Sequence, residues 1–176
     1  MDNHSPAKQT TFYAIGLSYK KADAEIRGKF SLNEQAKTNL LEQAKSNGIE
    51  SLIVTSTCNR TEIYGFAQHP FQLIHLLCEN SLGTVEEFQK YAYVYKQKEA
   101  LNHMFRVGTG LDSQILGDFE IIAQLKNAFV ESKKHNLANA YLERLVNSVI
   151  QASKKVKNET EISSGATSVS FEAVQY

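Results

Sequence analysis

The chain has 176 residues, with 19 Lys and Arg against 19 Asp and Glu, 42% hydrophobic residues and 22% charged ones. This composition fits one folded domain of roughly 100–200 residues, and it excludes a disordered tail, a collagen-like repeat and, on overall charge, a strongly basic nucleic-acid binder. Two cysteines, Cys58 and Cys78, are too few for a disulfide scaffold. No apolar run reaches the ~18 residues of a membrane span, and MDNHSPAKQT has no signal-peptide pattern, so a soluble protein of the reducing cytoplasm is expected.

In chain order, Thr11 to Leu17 (TFYAIGL) is rich in β-formers and predicts a first strand. Ser31 with Glu34 three positions on has the pattern of a capping box, and Leu32, Ala36, Leu40, Leu41 and Ala44 follow at helical spacing up to Asn47-Gly48. Ser51 to Thr57 and the alternating Thr61 to Ala67 predict two strands, with Cys58-Asn59-Arg60 at the junction. Pro70 opens a short helix, a second helical piece runs from Thr84 to about Gln89, and Tyr91 to Tyr95 (YAYVY) predicts a last strand. Strand, helix, strand, strand, helix, strand is the split β-α-β order of a ferredoxin-like α+β fold, expected over residues 1–97. From 98 to 160 the pattern is helical only, ending in a long helix from about Leu137 to Lys157. Residues 161–176 read as the opening of a linker to a further domain.

Charge is unevenly spread. Between Lys126 and Lys157 there are seven basic and two acidic residues, so this stretch carries 7 − 2 = +5 and the remainder −5. Such a stripe either faces solvent or meets phosphate.

Cys58 is the most informative residue, because it follows an apolar strand and sits on a polar turn beside Arg60, whose charge would favour the thiolate. A structural cysteine at a strand end is the competing reading. Cys78 lies on the apolar side of its helix, where core packing is expected. His75 and Cys78 stand three apart, but no second Cys/His pair follows, so a zinc site is not expected. His103 lies on an apolar helix and reads as a core group or a catalytic one. Gly108, Gly110 and Gly117 punctuate a run containing Asp112, Ser113, Asp118, Glu120 and Gln124, the pattern of a loop shaped for a ligand.

STCNRTEIYG, HMFRVGTGLDSQILGDFEIIAQLKNAF and KKVKNETEISSGATSVSFEAV, with GLSYKKADAEIRGKFSL before them, resemble the N-terminal half of the glutamyl-tRNA reductase family, in order and over most of the chain. The resemblance implies NADPH-dependent reduction of glutamyl-tRNA to glutamate-1-semialdehyde, the first committed step of tetrapyrrole synthesis by the five-carbon route. It makes Cys58 the nucleophile that forms a glutamyl thioester and His103 a residue important for activity. Thr57, Asn59, Arg60, Ser113, Asp118, Phe119, Glu120 and Gln124 become substrate contacts, with Arg60 suited to clamp the glutamate carboxylate. It further implies a homodimer formed through a C-terminal domain, contact with the glutamate-1-semialdehyde aminomutase, and no metal. Gly117-Asp118-Phe119-Glu120 departs from the family's usual Gly-Glu-Pro/Asn-Gln, and Gly28 stands where Glu often follows Arg27.

No G-x-G-x-x-G follows a predicted strand, so NADPH is expected on a domain beyond this chain, which alone would form the thioester without reducing it. A different class of function, a non-catalytic RNA-binding module, would use Phe12 and Tyr13 on the first strand and Tyr64 and Phe66 on the third as stacking residues. A thiol redox protein would need a C-x-x-C pair, which is absent.

Overall fold

The computed structural model describes residues 9–159; the expected linker at 161–176 lies outside them. The elements are β1 (Thr11–Ser18), α1 (Ala24–Phe30), α2 (Glu34–Ser46), β2 (Leu52–Ser56), β3 (Arg60–Ala67), α3 (Pro70–Glu79), α4 (Val85–Tyr91), β4 (Tyr93–Lys96), α5 (Lys98–Gly108), α6 (Glu120–Lys134) and α7 (Ala140–Glu159). The four strands form one antiparallel sheet in the order β2-β3-β1-β4. This is the ferredoxin-like arrangement expected from the element order, with the helical half added to it.

Local chemistry sets the boundaries. Pro70 occupies the first turn of α3, where its missing N–H costs nothing, behind a His69 cap. Thr84 and Glu87 close a capping box on α4. The helix expected to start at Ser31 starts two residues later: the Asn33 side chain accepts from Ala36 N–H at 2.8 Å, and Ser31 instead ends α1. Helix α1 has no periodic signal in the sequence, being seven residues interrupted by Gly28; the Asp23 carboxylate caps it. The last strand begins at Tyr93, because Ala92 N–H still bonds to Phe88 C=O and keeps Tyr91 helical.

The sheet is covered on both faces. On one, Tyr13, Ile15, Leu17, Val54 and Ile63 pack against α2 and α3; on the other, Phe12, Ala14, Ile53 and Tyr64 pack under α5, α6 and α7. Helices α5–α7 therefore supply the sheet's second apolar layer. Phe12, Tyr13 and Tyr64 are buried, so the stacking platform required of an RNA-binding sheet is covered. No helix among the described residues is long and apolar enough to cross a membrane.

Candidate active site

Cys58 sits at the tip of the short connection between β2 and β3. Thr57 N–H donates to Arg60 C=O at 2.8 Å, and the Thr57 hydroxyl oxygen accepts from the N–H groups of Asn59 and Arg60, both at 3.2 Å. The outside of the turn is pinned as well: Arg27 Nε donates to Cys58 C=O at 3.0 Å, and Tyr19 N–H to Asn59 C=O at 2.9 Å. A hydroxyl at 57 and a guanidinium at 27 thus fix the backbone while Cys58 stays exposed with a free thiol.

Two depressions flank Cys58. One is lined by Thr57, Cys58, Asn59 and Arg60 on the sheet side and by Ser113, Gln114, Asp118, Glu120, Ile121 and Gln124 on the helical side. The other lies over α1 and is bounded by Ala24, Arg27, Gly28 and Ser31. Eight of the ten residues expected at the site therefore share the first depression. Phe119 is not among its lining residues; its ring faces Lys157, whose Nζ lies 5.9 Å from the centroid. His103 is not among them either.

The loop that carries Ser113 and Asp118 closes on itself through the Gly110 carbonyl, which accepts from Ser113 N–H at 3.4 Å and Gly117 N–H at 3.2 Å. Gly110 and Gly117 stand at φ +80° and +82°, a region that side-chain-bearing residues avoid, which accounts for both glycines.

Behind the turn lies a buried polar network that sequence reasoning did not assemble. Glu62, fully buried on β3, is its hub. One carboxylate oxygen accepts from Arg60 Nη1 at 3.4 Å and Tyr64 OH at 3.0 Å; the other meets Tyr93 OH and His103 Nε2. Arg60 Nη2 continues the chain to the Asp112 carbonyl at 2.6 Å and carboxylate at 3.0 Å, and Asp112 is also paired with Lys20. Tyr93 and Tyr95 hold the His103 ring at centroid distances of 4.9 and 4.8 Å.

Burial alone would push the Glu62 carboxyl up, but the His103 hydrogen bond and the Arg60 charge outweigh it and hold the group at about 2. Burial and the neighbouring Glu62 push the hydroxyls of Tyr64 and Tyr93 well above the ordinary tyrosine value, keeping them protonated donors. Gly16, opposite Glu62 across the β1–β3 pairing, makes room: a Cβ there would lie 2.2 Å from Thr61 O and 3.0 Å from Glu62 Cγ.

Arg60 is 3% exposed and already engages two protein carboxylates, so a two-pronged clamp on a substrate would have to displace them. Among the described residues, no group of three or more His, Cys, Asp or Glu could hold a metal ion. The all-antiparallel sheet contains no parallel β-α-β unit, so the described residues do not fit a dinucleotide of the NADPH type.

The family model of the glutamyl-tRNAGlu reductase N-terminal domain matches residues 15–160. A glutamyl-tRNA reductase of Flavobacterium psychrophilum is 76% identical over the whole chain, and one of Christiangramia forsetii is 73% identical. The match covers 43% and 42% of those proteins, so the chain spans about two fifths of the length of these relatives. The solved glutamyl-tRNA reductase from Methanopyrus kandleri superposes with a TM-score of 0.75 at 25% identity, over 93% of this chain and 38% of that one.

Proposed function

The chain belongs to the glutamyl-tRNA reductase family as its N-terminal domain, and from that premise we propose that it forms a glutamyl thioester on Cys58 from glutamyl-tRNA, for NADPH-dependent reduction to glutamate-1-semialdehyde in tetrapyrrole synthesis. The Cys58 thiolate attacks the ester carbonyl carbon. A C–S bond forms, the C–O bond to the ribose breaks, and the ribose oxygen takes up, through solvent, the proton the thiol gave up on ionising and leaves as the tRNA 3′ hydroxyl. An aminoacyl ester is already activated, so no nucleotide triphosphate is needed, and a thioester accepts hydride more readily than a carboxylate does.

The observation that carries this reading is an exposed cysteine on a rigid turn at the edge of a polar depression with a buried guanidinium beneath it. Thr57, Asn59, Ser113, Asp118, Glu120 and Gln124 contact the glutamate in this reading, and Arg60 meets its side-chain carboxylate by exchanging one of its two protein carboxylates for it. Phe119, whose ring faces Lys157 outside the depression, makes no contact with the glutamate in this reading. His103 acts on the turn through Glu62 and Arg60. NADPH supplies the hydride when bound by the remainder of the longer protein. Dimerisation through a C-terminal domain, contact with the aminomutase that consumes the semialdehyde, and a cytoplasmic location complete the proposal.

Mass spectrometry of the chain after mixing with glutamyl-tRNA tests it. A glutamyl adduct on the peptide containing Cys58, absent in Cys58→Ser, is expected; an adduct elsewhere, or none, refutes it.

A further inference from the structure

A third cavity, of about 460 Å3, lies beside the Cys58 turn between α2, the outer edge of β2 and α6. That volume is within the ~300–1,000 Å3 of small-ligand sites. It borders the site already described at two points, since Gln124 lines both this cavity and the depression at Cys58, and Ser56 lines both this one and the depression over α1.

Its polar groups have an unusual disposition. In the β2–β3 ladder Ser51 pairs with Phe66 and Thr57 with Arg60, and antiparallel bonding alternates, so Ile53 and Thr55 also face β3 while Leu52, Val54 and Ser56 point their N–H and C=O groups outward. The outward Leu52 N–H is met by Leu137 C=O at 2.9 Å. Val54, two residues on, 4% exposed and lining the cavity, has its N–H and C=O on the same outward edge, with no hydrogen bond to another backbone group among the described residues. Thr55, also 4% exposed, lines the same cavity, and its Oγ1 is buried with no partner among the described residues. A buried hydroxyl without a partner is costly, and native structures keep one where something else completes it. Asn127 and Gln124 add two carboxamides on the α6 side.

An outward backbone donor beside an acceptor, with a hydroxyl and carboxamides around them, matches the hydrogen-bonding edge of a nucleobase. The thioester reading, on which this inference rests, requires a nucleoside within reach of Cys58, because every aminoacyl-tRNA carries its amino acid as an ester on the ribose of a 3′-terminal adenosine. Two residues of chain span at most roughly 7 Å, so Ser56 lies within about one ribose of Cys58. The depression over α1 offers less: Arg27, the one cation among its described lining residues, already spends Nε and Nη1 on the carbonyls of Cys58 and Ala22. We propose that the cavity between α2, β2 and α6 receives the terminal adenosine of the aminoacyl-tRNA, its base read by the Val54 backbone edge and the Thr55 hydroxyl, while the glutamyl group enters the depression at Cys58.

Two glutamate esters separate this site from the chemistry: 3′-O-glutamyl-adenosine, and the trifluoroethyl α-ester of glutamate, which has no nucleoside. Adduct formation on Cys58 is measured for the unmodified chain, for Thr38→Trp, which fills the cavity from α2, and for Thr55→Val, which removes only the unpartnered hydroxyl. The half-saturating concentration of glutamyl-adenosine should rise at least tenfold in Thr38→Trp and about fivefold in Thr55→Val. The rate with the trifluoroethyl ester should stay within twofold in both, and Thr55→Val should melt no lower than the parent. Equal losses for the two esters, or unchanged saturation by glutamyl-adenosine in both variants, would overturn the adenosine site and leave the thioester reading standing. Failure of the unmodified chain to react with either ester would overturn both.

Discussion

Replacing Glu62 by Gln tests whether the hub of the buried network is held as an anion. The carboxyl sits at about 2 against an ordinary 4.5, in a fully buried position. At ~1.4 kcal/mol per pH unit that difference corresponds to about 3 kcal/mol. Because the folded-state value is depressed, this stability is fully present above about pH 4.5 and is lost as pH falls towards 2. In Glu62→Gln the Arg60 guanidinium keeps Asp112 but loses its second carboxylate, and breaking a buried pair costs ~3–5 kcal/mol. Urea unfolding followed by circular dichroism at pH 7, 5, 4 and 3 should therefore show the variant about 3 kcal/mol less stable at pH 7, with the gap closing on acidification. The Asp112 carboxyl is also depressed: burial raises it, but Lys20 and Arg60 lower it further. Asp112 contributes acid lability to both proteins, so the readout is the difference between the two curves. Parallel curves from pH 7 to pH 3 would refute the reasoning, because they would mean Glu62 carries the same proton folded and unfolded.

Gly108→Ala places a Cβ 2.2 Å from Val149 Cγ1 where α5 crosses α7, so overpacking should cost about 1–3 kcal/mol. Thermal melting checks this, and Val149→Ala in the same chain should restore most of the loss. Thr57→Val removes the oxygen that accepts from Asn59 and Arg60 N–H. It should cost about 1 kcal/mol of stability and slow glutamyl adduct formation by more than tenfold, because the turn no longer holds Cys58 in one place; an unchanged adduct rate would show that the turn needs no such support. The seven basic residues between Lys126 and Lys157 all stand exposed on α6 and α7. If they lie along tRNA, the affinity for glutamyl-tRNA measured between 50 and 200 mM salt should fall steeply, whereas a flat response returns them to a solvated face.

Local signals read from the chain alone located the sheet and the turn. Strand runs at 11–17, 51–57 and 61–67 sit within a residue or so of β1, β2 and β3, because β-branched and aromatic runs bounded by polar turns have few other conformations available. The Pro70 and Thr84 helix starts were legible for the same reason: a proline or a capping box acts within one turn of chain. Cys58 stood out because polar neighbours on both sides place it at a junction, and of the glycines in the 108–117 run Gly110 and Gly117 take the positive φ of the loop while Gly108 ends α5.

Long-range packing decided the rest. The alternating pattern of Thr61 to Ala67 predicts a strand but does not report that α5–α7 cover its Glu62 side and leave that carboxylate without solvent. Arg60, Glu62 and Tyr64 share one face of β3 at the strand period of two, but Tyr93, His103 and Asp112 join them from separations that no periodicity reports. The same packing turned Arg60 from an open clamp into a buried member of a charge network and set His103 behind it. It also shaped the cavity beside β2, where an edge strand's outward groups meet two helices distant in sequence. Backbone propensity acts over a few residues and can be read along the chain; desolvation and charge pairing depend on which surfaces are brought together, and only the folded arrangement specifies that.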